Sequence, residues 1–252
     1  MKMRVWGAVG CVVVGVGGVG ISAAARAADL PARTYTKAPP AYVAAIYDWS
    51  GFYIGANGGW GGAHNGWNLI GAGGTFPEGR TNGDGGTVGG QFGYRWQTGP
   101  IVFGLEAQGN WAHVSSSNAS IAAANAGLSN RSVLDDFGLF TGQVGYAFNN
   151  VLLYAKGGAA LTGSSYRDLI TGTSTVVGAA SDTRWGAVVG AGLEYGFAPN
   201  WSAGLEYDHL FMGSNNVNLT TPAGALFATD AIHQNVDLLT LRLNYKFGGS
   251  GH

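Results

Sequence analysis

Three carboxylates recur in one tripeptide, at Gly104-Leu105-Glu106, Gly192-Leu193-Glu194 and Gly204-Leu205-Glu206. Acids gathered in one space can share general acid and general base work, provided that a substrate cleft lies between them. If the apolar faces of the strand-like segments look outward, Arg95, Lys156 and Arg242 fall on the inward faces and could meet these acids. Charges held out of water must be paired or solvated. The near balance of acids and bases therefore predicts an interior ion-pair network of Arg95, Glu106, Lys156, Glu194, Glu206 and Arg242. Its role would be to plug the interior rather than to catalyse.

The histidines offer little more. His64, His113, His233 and His252 fall in polar stretches expected to be loops or tail, and His209 sits near the end of a strand-like segment. Asp208 and Ser214 are close to it in sequence, but adjacent strand residues point to opposite faces, so Asp208 cannot simply orient His209. No histidine pair has metal-ligand spacing, and the glycine stretches match no phosphate loop that opens a helix. No catalytic residue, metal or cofactor is expected.

The elements that must position these groups read as strands. From Arg184 to Phe197, Trp185, Ala187, Val189, Ala191, Leu193, Tyr195 and Phe197 share one face, while the other is mostly glycine with Arg184 and Glu194. Period-two alternation is the strand signal. It recurs eight times, in segments of about 10 to 14 residues, the length that a tilted transmembrane strand needs. Connections alternate in length. Gln97-Thr98-Gly99-Pro100, Asn149-Asn150 and Ala198-Pro199-Asn200 are tight turns, whereas Gly61 to Gly85, His113 to Val133, Ser164 to Thr183 and Gly213 to Gln234 are long and polar. Hairpin turns on one side and long loops on the other are the pattern of a bacterial outer-membrane barrel. Trp96, Phe148, Phe197, Trp201, Tyr245 and Phe247 fall beside the short turns or the chain end, which predicts an aromatic girdle at one lipid interface.

Composition and the N-terminus agree. Glycine at 45 of 252 residues would suggest disorder, but 46% hydrophobic and 12% aromatic content opposes it. No basic stripe exists, which excludes a nucleic-acid partner. Lys2 and Arg4, the apolar run from Trp6 to Ile21 and the A-x-A site at Ala25-Arg26-Ala27 read as a signal peptide over 1–27. Its loss leaves 10 basic against 14 acidic residues, a net of −4. Cys11 lies inside the apolar run, so lipidation is not expected. Residues 28–48 read as an extended periplasmic leader, 49–247 as the barrel and 248–252 as a tail.

The opening Tyr47-Asp48-Trp49-Ser50-Gly51-Phe52-Tyr53-Ile54-Gly55-Ala56-Asn57-Gly58-Gly59-Trp60-Gly61 resembles that of the alphaproteobacterial outer-membrane immunogenic, or porin-family, proteins. The leader Ala28-Asp29-Leu30-Pro31-Ala32-Arg33 and the ending Leu241-Arg242-Leu243-Asn244-Tyr245-Lys246-Phe247 are similar to theirs too. The resemblance implies an all-β, eight-stranded antiparallel up-and-down barrel, related to small OmpA-like and opacity-type proteins. It also implies a terminal aromatic read by the outer-membrane assembly machinery.

The expected protein is a monomer in the cell outer membrane, with a structural and surface-contact role. Its partners would be outer-membrane lipid, lipopolysaccharide and the assembly machinery, with the loops open to host or phage. The alternative is a narrow channel for ions or small solutes, although wide pores need about 16 strands. A lipid-modifying enzyme is the third reading.

Overall fold

The computed structural model describes residues 47–71, 74–121, 127–173 and 175–247. The expected signal peptide, the leader up to residue 46 and the tail at 248–252 lie outside the described residues. Eight strands follow in chain order: β1 (Gly51–Gly71), β2 (Gly74–Thr98), β3 (Ile101–Ala119), β4 (Leu128–Phe148), β5 (Val151–Ile170), β6 (Val176–Ala198), β7 (Trp201–Thr220) and β8 (Leu226–Lys246). Each pairs antiparallel with its sequence neighbours, and β8 closes on β1. The result is an eight-stranded up-and-down barrel with no unpaired edge.

At one end the strands are joined by tight turns. Gly99 (φ +59°) and Asn149 (φ +52°) take the left-handed conformation that such turns require, which glycine adopts freely and asparagine tolerates. The strand pleat then sorts the side chains. Phe52, Leu105, Trp111, Trp185 and Leu241 are exposed on the outer wall, while the alternate residues are buried in the lumen.

Two expectations need correction. The strands span 19 to 25 residues rather than 10 to 14, because each continues far into the stretches taken for long loops. Ladder pairing runs on through polar residues: His64 pairs Asn82, and Asn130 pairs Asp168. Beyond the lipid belt, water replaces lipid on the outer face, so apolar alternation is lost while the backbone bonding persists. The four long connections thus reduce to short tips above a raised rim.

The second correction concerns residues 47–49. Tyr47 belongs to the expected leader and Trp49 to the first strand, yet both are buried inside the short-turn end of the barrel, at 6% and 2% exposure. The Tyr47 backbone N–H donates to Asn150 Oδ1 at 3.2 Å, and that of Trp49 to Gln97 Oε1 at 2.8 Å.

The lumen is layered, and β5 reads the layers in order. From the short-turn end its buried residues run Leu152 and Tyr154, then Lys156, then Ala160, then Thr162 and Ser164, then Tyr166, and last Asp168. On β8 the same ascent runs from Asn244 and Arg242 through Leu238 and Val236 to Ile232 and Asp230.

Candidate functional site

The charged layer is built from inward residues of six strands, β2, β3 and β5 to β8. Arg95 Nη2 on β2 lies 2.8 Å from Glu194 Oε2 on β6. Arg242 on β8 reaches both Glu106 on β3 and Glu206 on β7. Lys156 Nζ on β5 lies 2.8 Å from Glu206 Oε1, 3.1 Å from Asp208 Oδ2 and 3.8 Å from Glu106 Oε1. The six residues expected to form the network fall into two ion-paired groups at this level, Arg95 with Glu194, and Arg242 and Lys156 with Glu106 and Glu206. Asp208 joins them, so three cations face four carboxylates. Glu194 also accepts from Ser202 and from Asn244 Nδ2, the latter at 2.9 Å. Lys246 instead sits at the mouth, 3.7 Å from Asp48 and over the Tyr47 ring at 5.1 Å.

Two tyrosines tie this layer together. Tyr53 donates to Glu106 Oε2 and Tyr154 to Glu206 Oε2, each at 2.6 Å. Each ring lies flat over a glycine. A Cβ on Gly93 would stand 2.6 Å from the Tyr53 hydroxyl, and one on Gly192 would stand 2.5 Å from the Tyr154 ring. The Arg95 guanidinium covers Tyr53 at 4.5 Å from its centroid, a cation–π geometry that supplements its ion pair. The sequence offered no signal for these contacts, which depend on closure of the ring.

Apolar layers flank the charges. Below lie Tyr47, Trp49, Val102, Leu152 and Tyr154. Above lie Leu139, Val188, Leu210, Val236 and Leu238 with their neighbours. Higher still, Arg184 pairs with Asp182 at 2.6 Å and donates to the Tyr166 hydroxyl at 3.1 Å. Near the rim, Glu78, Asp168 and Asp230 form a second acidic group that the sequence reading missed. Burial, reinforced by the charge of Glu78, raises the Asp168 carboxyl to about 7. Burial, then Glu78 and Asp168, raises Asp230 to about 8. Asp168 and Asp230 find no hydrogen-bond partner among the described residues.

The four described histidines, His64, His113, His209 and His233, lie on the outer wall. His209 Nδ1 is 2.6 Å from Asp237 Oδ1, and the Tyr207 hydroxyl donates to the same oxygen at 2.5 Å. Asp237 lies opposite His209 across the β7–β8 ladder, a relation set by register and invisible to sequence spacing. Ser214 Oγ lies 3.3 Å from His233 Nδ1. The acid–histidine pair thus holds no hydroxyl nucleophile other than a tyrosine that is already donating, and the serine–histidine pair holds no acid. Among the described residues no group of three or more His, Cys, Asp or Glu could hold a metal ion.

The comparisons with known proteins match this architecture. Residues 15–247 match the family model described as the outer membrane protein beta-barrel domain. The chain belongs to this outer-membrane β-barrel family. It is 29% identical to the 31 kDa outer-membrane immunogenic protein of Brucella melitensis, over 84% of this chain and 89% of that protein. It is 30% identical to the 22 kDa outer membrane protein of Rhizobium leguminosarum bv. viciae, over 68% of each. Among solved structures, the outer membrane protease OmpT of Escherichia coli superposes with a TM-score of 0.50 at 10% identity, covering 80% of this chain and 98% of that one. That likeness is one of fold alone.

The barrel therefore resides in the outer membrane. Its outward aromatics cluster next to the short turns. Trp96, Phe148, Phe197, Trp201 and Phe247 are 41–59% exposed. Tyr245 packs edge-on between Trp201 and Phe247, at 5.1 and 5.2 Å. At the other edge of the apolar belt stand Trp60, Trp111 and Trp185, each also exposed.

Proposed function

We propose that this outer-membrane barrel is a structural and surface-contact protein whose lumen is plugged, and that it is not an enzyme. The carrying observation is the filled lumen: the charged layer lies between the Tyr47, Trp49, Val102 and Leu152 cluster and the Leu139, Val188, Leu210, Val236 and Leu238 cluster, with hydrogen-bonded Asn57, Gln91, Gln108 and Asn110 filling the β1–β3 side. An ion crossing it would shed water against packed side chains whose polar groups are already bonded to one another, a cost of several kcal/mol per group in comparable transfers. Eight strands leave an interior filled by side chains. The separation of His209–Asp237 from Ser214–His233 speaks against hydrolysis, because neither pair unites nucleophile, base and acid.

In this reading Trp96, Phe148, Phe197, Trp201, Tyr245 and Phe247 form the periplasmic-side girdle, with Trp60, Trp111 and Trp185 at the outer edge. The raised rim, rich in Asn, Ser and Thr, carries contacts outside the cell, and the barrel acts as a monomer. The names of the Brucella and Rhizobium relatives support an exposed outer-membrane role.

Single-channel recording of the folded protein in planar bilayers tests the plug. Silence is the expected result, for the wild type and for Leu238→Val alike. Discrete, reproducible openings of the wild type would overturn it in favour of a narrow channel.

A further inference from the structure

We infer that Arg131 and Arg167 form an anion clamp on the outer wall, holding a phosphate of neighbouring lipopolysaccharide. The two arginines are Cα partners in the β4–β5 register, and both are exposed on the outward face. Like charges placed directly opposite each other destabilise a strand pair. Within the described residues nothing offsets this, for neither guanidinium has an ion-pair or hydrogen-bond partner there. The same row continues to Ser117 on β3 and Ala179 on β6, small residues that leave both guanidinium groups open. The outward-facing acids on β4 lie nearer the membrane, and Asp168 on β5 is buried inside. Asp135 accepts from Ser165 at 2.6 Å, and Asp136 is level with Gly163.

Two guanidinium forks carried on paired residues suit a phosphate, whose oxygens can accept from both. Position selects the source of that phosphate. Leu161 pairs with Trp185 at the outer edge of the lipid belt, and Arg167 follows Leu161 by six positions. At a rise of about 3.4 Å per residue and a tilt of about 40°, the clamp stands about 15 Å above that edge. It lies below the strand tips and faces sideways, along the membrane plane. The inner phosphorylated saccharides of lipopolysaccharide fill that layer, whereas a ligand from outside would meet the tips first. The inference goes beyond the plugged-barrel reading and stands even if the barrel conducts.

The test compares wild type, Arg131→Gln, Arg167→Gln and the double variant, each checked for folding by heat-modifiable electrophoretic mobility. Binding is measured by co-migration with purified lipopolysaccharide, intact or enzymatically dephosphorylated, in mild detergent. Arg80→Gln, an exposed arginine on β2 away from the pair, is the control. The clamp predicts about a tenfold loss of affinity in the double variant. It also predicts a similar loss for the wild type with dephosphorylated lipopolysaccharide, and little change for Arg80→Gln. Undiminished binding by the folded double variant would overturn the proposal, as would equal affinity for both preparations. So would a clamp-dependent affinity for soluble heparin with none for lipopolysaccharide, which would assign the pair to an external polyanion.

Discussion

Arg95 and Glu194 meet at 2.8 Å across the lumen, although 99 positions separate them in the chain. Both are almost without solvent contact, so each relies on the other for its solvation. Removing one member of such a pair leaves a buried charge uncompensated, and that cost exceeds the net worth of the pair.

Glu194→Ala is expected to destabilise the barrel by about 3–5 kcal/mol. Glu194→Gln, which still accepts hydrogen bonds from Ser202 and Asn244, should cost visibly less. Urea unfolding in lipid vesicles, followed by tryptophan emission, measures both. Equal midpoints for Glu194→Ala and wild type would show that the lumen is hydrated at this level.

The tyrosine–glycine contacts make a steric prediction. Gly192→Ala would drive a methyl group into the Tyr154 ring, at an expected cost of about 1–3 kcal/mol. Tyr154→Phe keeps the ring but leaves Glu206 short of a donor, and should cost about 1–3 kcal/mol for a different reason. In the double variant the two penalties should combine non-additively, since both act through one ring. Strict additivity would separate Gly192 from Tyr154.

The outer wall predicts a depth profile. Leu241, 68% exposed near the middle of the lipid belt, should lose about 2–4 kcal/mol of stability when changed to Arg. Tyr245→Arg, at the girdle, should lose only about 0–1 kcal/mol. The comparison is made in vesicles of one lipid. A reversed order would mean that the belt is misplaced along the barrel.

Asp168 and Asp230 set the pH dependence of the raised rim. Their carboxyls are lifted by burial to about 7 and about 8, so the folded rim binds protons that the unfolded chain releases near pH 4. The unfolded state therefore binds fewer protons across this window, and rim stability falls as pH rises from about 4 to about 8. Hydrogen exchange of β5 and β8 amides above the belt should quicken between pH 5 and pH 8, beyond the intrinsic increase. Asp168→Asn with Asp230→Asn should flatten that excess, and an unchanged slope in the double variant would reject the assignment.

Much was legible in the chain because strands that face lipid carry a strong period-two signal. Trp185 to Phe197 showed its outward face directly, and Asn149-Asn150 showed its turn. The inward set, including Arg95, Glu106, Lys156 and Arg242, followed by subtraction. The rim was hidden, since strands wet on the outside need no apolar alternation and their polar runs look like loops. Tyr47 and Trp49 were hidden for another reason. Their burial depends on the open end of a ring that exists only after β1 has closed on β8.

By itself the sequence determined the outer-membrane barrel class, the number of strands, the sides on which the turns fall and which residues face lipid. All of these follow from local alternation and turn chemistry. Only the tertiary structure decided who meets whom: Arg242 between Glu106 and Glu206, His209 with Asp237, Arg131 beside Arg167. Those pairings depend on register and on closure of the ring. A slip of one residue along any strand would reverse its faces, and no local pattern records which partner waits across the lumen.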